Sequence, residues 1–216
     1  MLRRTDLTDQ FTPRVDAADQ LHSHVADRLV RLDQHLRRHG TATAGLLAWC
    51  LAHDIGSGPI VAEVVSSFDA RTRDGSAVDT RPKSAQQSAS EPRFLCSTRC
   101  VNLRRGPILL SRAQLIYRHT HLPNHILETL AASDIPFGKL IAGLRPQRRT
   151  TASKMKADLV RLDLDATHPD GGPFSVLEHH ATVYIHGNHP IARVREAYTS
   201  ALLTSHDVNK LHSEQV

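Results

Sequence analysis

The chain has 216 residues, a formal net charge of +5 and a pI near 9.4, with 40% apolar and 23% charged residues. That is enough apolar material for a core in one α+β or α/β domain, and it excludes global disorder. The basic residues alternate with acids, as in DRLVRLDQHLRRH (27–39). A basic run interleaved with aromatics is absent, which speaks against nucleic acid as a partner.

Along the chain, residues 1–16 are polar and read as a loose terminus. Leu21, Val25, Leu29, Leu32 and Leu36 then recur every three or four residues, which predicts an amphipathic helix over 16–38, stopped at Gly40. TATAGLLAWCLAH (41–53) predicts a second helix capped by Thr41 or Thr43. GPIVAEVVSSFDA (58–70) is β-branched and predicts a strand. Residues 71–93 are Ser-, Ala-, Gln- and Pro-rich and predict a flexible insert.

A hairpin follows over 94–117, then a helix with Pro123 at its start and NHILETLAA (124–132) as its body. SDIPFGKLIAGL (133–144) predicts a tight turn and a short apolar element. Residues 145–172 are basic, then acidic, with the polar loop THPDGGP. A second hairpin, FSVLEHHATVYIH–GNHP–IARVREAYTSALL (174–203), precedes a polar tail. The order predicts one α+β domain over residues 1–216, with helices packed on a single antiparallel sheet.

Three cysteines, Cys50, Cys96 and Cys100, have no metal-knuckle spacing and read as small thiols in a reducing compartment. No apolar run reaches the roughly 18 residues of a membrane span, and MLRRTDLTDQ has no apolar signal region. A soluble cytoplasmic protein without a membrane partner is expected. The histidines, among them His119, His121, His179, His180, His186 and His189, lack ordered ligand spacing, so no metal is expected and they read as surface or loop residues.

The first hairpin, TRCVNLRRGPILLSRAQLIY (98–117), carries an arginine inside each apolar strand, Arg99 and Arg112. Side chains alternate faces along a strand. With Arg105–Gly106 as a two-residue loop, Arg99 falls opposite Arg112 on one apolar face; a three-residue loop breaks that parity. Either internal carboxylates neutralise the pair, or the face is wet, or the two forks grip an anionic small molecule. In the second hairpin, a Gly187–Asn188 loop puts Glu196 opposite His179. Glu196 is then a candidate acid/base group, or simply the partner of an arginine.

The run RCVNLRRGPILLSRAQLIY…HLPNHILETLAASDIPFGKLI resembles the chorismate pyruvate-lyase (4-hydroxybenzoate synthase) family and its wider bacterial and archaeal relatives. GNHPIARVREAY (187–198) is similar to that family's closing strand, and HGTATAGLL (39–47) to its early Gly-Thr-x-Thr element. The resemblance implies a chorismate lyase-like fold and elimination of pyruvate from chorismate to give 4-hydroxybenzoate, with no cofactor. It implies that Arg99 and Arg112 bind substrate carboxylates, that the Ser111 backbone N–H assists, that Phe137 walls the pocket in place of the usual Leu, and that Glu196 is the catalytic carboxylate. A related fold serves as the effector-binding domain of some transcription regulators, so a non-catalytic small-molecule binding domain is the alternative.

Overall fold

The computed structural model describes residues 17–69, 96–156 and 173–203. The expected loose termini, the insert at 71–93 and most of the THPDGGP loop lie outside the described residues. Helix α1 (Ala17–Arg37) follows from its three-four spacing: Val25, Leu29, Leu32 and Leu36 are buried along one stripe. Helix α2 (Ala42–Ala52) is capped by Thr41, whose Oγ1 accepts from the Ala44 N–H at 3.2 Å. The two helices are clasped by a hydrogen bond of 2.9 Å between His35 Nε2 and the Gly45 carbonyl.

Six strands form one sheet: β1 (Ile60–Asp69), β2 (Cys96–Arg105), β3 (Ile108–Arg118), β4 (Gln147–Met155), β5 (Ser175–Ile185) and β6 (His189–Thr199). Their spatial order is β1-β2-β3-β6-β5-β4 and every neighbouring pair is antiparallel. The α+β class read from the sequence is therefore found. Strand β4 lies in the stretch 145–172, read only as basic and then acidic with a polar loop, where no strand was expected. It is an edge strand, where a basic, half-exposed sequence such as QRRTTASKM is tolerated.

The hairpin register differs from expectation. The β2–β3 turn is Gly106–Pro107, with Arg105 paired to Ile108. Gly106 takes φ +56°, a conformation that favours glycine. A bulge follows, because Leu103 pairs with Ser111 while Arg104 pairs with Leu109, leaving Leu110 unmatched. Arg99 consequently faces Leu115, and Arg112 faces Asn102. The two arginines lie on opposite faces of the sheet, and the expected opposition of Arg99 and Arg112 is corrected. In the second hairpin the loop has three residues, 186–188, but a bulge at Ile191 restores the register. Glu196 is paired with His179, as the two-residue loop would also have required.

The helices cover one face of the sheet with two apolar clusters. In the first, α1 and α2 pack on Ile60, Ala62, Leu103, Leu110 and Tyr198. In the second, helix α3 (Asn124–Ala132) packs on Leu115, Tyr117, Val183 and Ile191, with the short α4 (Phe137–Leu140) against it. The opposite face carries Arg112, Gln114, Arg193 and Arg195, as a solvated antiparallel face does. There Glu178 receives Arg195 and His180, which hold its carboxyl down at about 2.

Gly40, between α1 and α2, packs against the turn that starts β4: a Cβ there would sit 2.5 Å from the Pro146 carbonyl oxygen. Gly40→Ala is expected to cost about 1–3 kcal/mol in urea unfolding. Gly143→Ala, whose Cβ would meet open space, should stay within about 1 kcal/mol of the parent.

Candidate functional site

The two apolar clusters meet around a cavity of about 570 Å³, its open mouth included. Alternation along β2, β3 and β6 supplies an apolar wall of Val101, Leu103, Ala113, Leu115 and Val194. The start of α2 (Thr41, Ala42, Thr43) and Phe137–Gly138 close it from the other side. That approach requires a glycine at 138, since a Cβ there would lie 2.8 Å from Thr41 Cβ. Three charged side chains line the cavity: Arg99, Arg148 and Glu196.

Arg99 is 3% exposed. Its Nη2 donates to the Ser133 carbonyl at 2.6 Å, and among the described residues no carboxylate forms an ion pair with it. Burial pulls its pKa below the usual arginine value, with Tyr117 and Asp134 opposing from a distance. Arginine stays protonated even so. A buried guanidinium without a carboxylate is costly unless something else supplies the negative charge.

Arg148 and Glu196 form a buried pair, with Nη2 at 2.5 Å from Oε2 and side chains 1% and 5% exposed. Tyr198 OH donates to the same Oε2 at 2.9 Å. Both contacts use Oε2, and Oε1 has no hydrogen-bond partner among the described residues. Arg148 Nη1 donates to Thr150 Oγ1 at 2.9 Å, while its Nε is buried without a partner among the described residues. Burial disfavours the charged guanidinium, but Glu196 and Tyr198 outweigh it and raise the Arg148 pKa. Burial, then Glu196, pushes the Tyr198 phenol well above its usual value.

Behind this pair stands His179, fully buried. Its Nδ1 lies 3.1 Å from Arg148 Nη2 and its Nε2 2.7 Å from Asp33 Oδ1. Asp33 also takes both carboxylate contacts of Arg37, at 2.9 and 3.0 Å, and the Ser153 hydroxyl at 2.7 Å. Burial raises the Asp33 carboxyl, but these hydrogen bonds win and lower it. His179 is pulled below its usual value, by burial first and then by Arg148, against the attraction of Asp33. The reading of the histidines as surface or loop residues fails here: His179 lies at the core of a polar chain and His119 is buried as well.

The residues expected from the sequence thus divide. Arg99, Phe137 and Glu196 line one cavity. Arg112 does not; it is half-buried on the other face, with Nη1 3.4 Å from the Pro173 carbonyl. Ser111 shares the cavity's face but sits beyond its lining, fully buried, with no partner for Oγ among the described residues. Phe137 lies against the Tyr117 ring at 6.4 Å between centroids. Arg148 was missed, because β4 lacks the apolar alternation that marks a half-buried strand. The alternative reading of Glu196 as an arginine's partner holds, with Arg148 as that arginine.

No known protein-family profile matches the chain. An uncharacterized protein, y4mC, of Sinorhizobium fredii is 29% identical over 185 residues, covering 81% of this chain and 75% of that protein. Among solved structures, a ligand-binding domain assigned to a GntR-family transcriptional regulator from Bordetella bronchiseptica is similar at a TM-score of 0.38 and 14% identity, over 65% of this chain and 83% of that one. A gene product of Staphylococcus aureus is similar at a TM-score of 0.34 and 14% identity, over 64% and 83%. Likenesses this slight carry no functional argument. Among the described residues, no helix is long and apolar enough to cross a membrane.

The buried chain predicts a pH dependence. In the unfolded chain an imidazole takes its proton near 6.5, whereas His179 is depressed below that value when folded. The unfolded state therefore binds more protons as pH falls through 6.5, and stability drops until the folded value is reached. The lowered Asp33 adds a second loss as pH falls below its usual 3.8. Melting curves between about pH 7 and pH 5 should show the first loss. His179→Gln should flatten that window; an unchanged slope in the variant would contradict this.

Proposed function

We propose that the protein is a binding domain for a small carboxylate-bearing ring compound, held in the cavity with its carboxylate on Arg99. The observation that carries this reading is Arg99 itself: a buried guanidinium, lining an apolar cavity, whose one hydrogen bond among the described residues is to a carbonyl. A ligand carboxylate would meet that charge with a charge-assisted and bidentate contact. The cavity's wall is mostly apolar with few polar groups, the make-up of a small-molecule site.

Glu196 sets the other end of the ligand. It lies two strands and two residues from Arg99, roughly 12 Å between Cα atoms at ordinary sheet spacing. Both side chains line the same cavity, whose apolar wall suits a ring held between them. Oε1 of Glu196 would accept from a hydroxyl there. A ring with a carboxylate at one end and a hydroxyl at the other, such as 4-hydroxybenzoate, fits both demands.

A second reading adds catalysis: elimination of pyruvate from chorismate, with Glu196 as the acid/base group. What favours it is that Glu196 lines the same cavity as Arg99. Against it, Arg148 and Tyr198 already occupy Oε2. The Arg148 guanidinium would then serve as the second cation that a dicarboxylate needs, in place of Arg112.

Titration calorimetry with 4-hydroxybenzoate tests binding. Arg99→Ala should weaken it by about 2–5 kcal/mol, the usual loss when one partner of a buried charge pair is removed. Arg112→Ala should leave it unchanged, since Arg112 is on the far face; equal losses in both variants would sink the site. Incubation with chorismate, assayed for pyruvate, separates the two readings: turnover supports the lyase, and binding without turnover supports the binding domain.

A further inference from the structure

We propose that Asp33 and His179 are positioning residues of the ligand site, acting through Arg148 to hold Glu196 with Oε2 engaged and Oε1 left for the ligand. This rests on the cavity being the ligand site. Glu196 could otherwise turn either oxygen to the cavity, and Arg148, with five N–H donors, could follow the ligand instead of the protein. What prevents this is the crowd around Arg148 Nη2: His179 Nδ1 at 3.1 Å, Glu196 Oε2 at 2.5 Å and Tyr198 OH at 3.3 Å.

His179 can accept from Arg148 only while Nδ1 is bare. A proton on Nδ1 would set donor against donor and place a second cation beside the guanidinium. Asp33 takes the Nε2–H at 2.7 Å, which sets the tautomer with Nδ1 bare, while burial and the Arg148 guanidinium disfavour a second proton there. Asp33 is itself fixed by Arg37 on its own helix and by Ser153 on β4. The charged and titratable groups facing His179 are therefore Asp33 from α1, Arg148 from β4, and Glu196 and Tyr198 from β6. The Tyr198 ring packs edge-on against the imidazole at 5.1 Å, which limits its rotation.

The consequence is a line of contacts from α1 to the cavity: Asp33, His179, Arg148, Glu196. A metal ligand or a nucleophile would need an accessible face, whereas His179 is 0% exposed and both ring nitrogens are engaged. Its action on the ligand can only be indirect.

A double-mutant cycle tests this with 4-hydroxybenzoate as the probe. His179→Leu should weaken binding about tenfold in the parent, a coupling of the size found between contacting residues. In a Glu196→Gln background the same change should matter less than about twofold, because its effect runs through Glu196. Equal losses in both backgrounds would show a merely structural role and overturn the proposal. Ring ¹⁵N spectra of ligand-free protein give a second readout. An Nε2–H tautomer with bare Nδ1 at pH 7 supports the positioning role; a doubly protonated or Nδ1–H ring there overturns it. That tautomer in a protein that does not bind 4-hydroxybenzoate would reject the proposed ligand while supporting the positioning role.

Discussion

The constraint on which the site depends is the cost of burying charge. Glu196 and Arg148 are withdrawn from solvent together, and each is tolerable only because the other is present and most of the remaining donors and acceptors are met. Tyr198, Thr150 and His179 meet most of them, and Asp33 meets His179 in turn. The chain crosses from α1 through β5 and β4 to β6, so it orients the covering helix on the sheet as well as the cavity wall. Apolar burial on Leu32, Leu36 and Leu46 supplies the driving force, and the polar chain selects one arrangement among those that would bury the same area.

Arg99 stands outside that chain. Its burial among the same apolar neighbours is answered by a carbonyl and by the field of Asp134, with no carboxylate in contact among the described residues. Arg148 is held by an ion pair and further hydrogen bonds, whereas Arg99, lining the same cavity, is held by a carbonyl. The cavity lies where the two apolar clusters meet, so its walls are shared between elements far apart in sequence.

Much of this architecture was legible in the sequence because it follows from period and punctuation. The stripe of α1, the Thr41 cap, the two hairpins and the helix after Pro123 each announce themselves locally. The face of Arg112 was not legible. Face assignment depends on counting from the turn, and one unmatched residue at Leu110 reverses the count. In the second hairpin a three-residue loop and a bulge at Ile191 cancel, so His179 and Glu196 meet by a different route from the one expected. Strand β4 was illegible because edge strands do not need apolar alternation, and with it went Arg148. His179 was misread because burial of a polar residue is decided by partners, here Asp33 and Arg148, that lie 146 and 31 positions away.

A crystal structure of the protein soaked with 4-hydroxybenzoate tests the central claim most directly. The ligand carboxylate should lie within hydrogen-bonding distance of the Arg99 guanidinium, with the ring against Val101, Ala113 and Val194 and the hydroxyl toward Glu196 Oε1. A ligand bound instead on the open face beside Arg112, or an Arg99 ion-paired to a carboxylate of the protein itself with the cavity unfilled, would contradict the account.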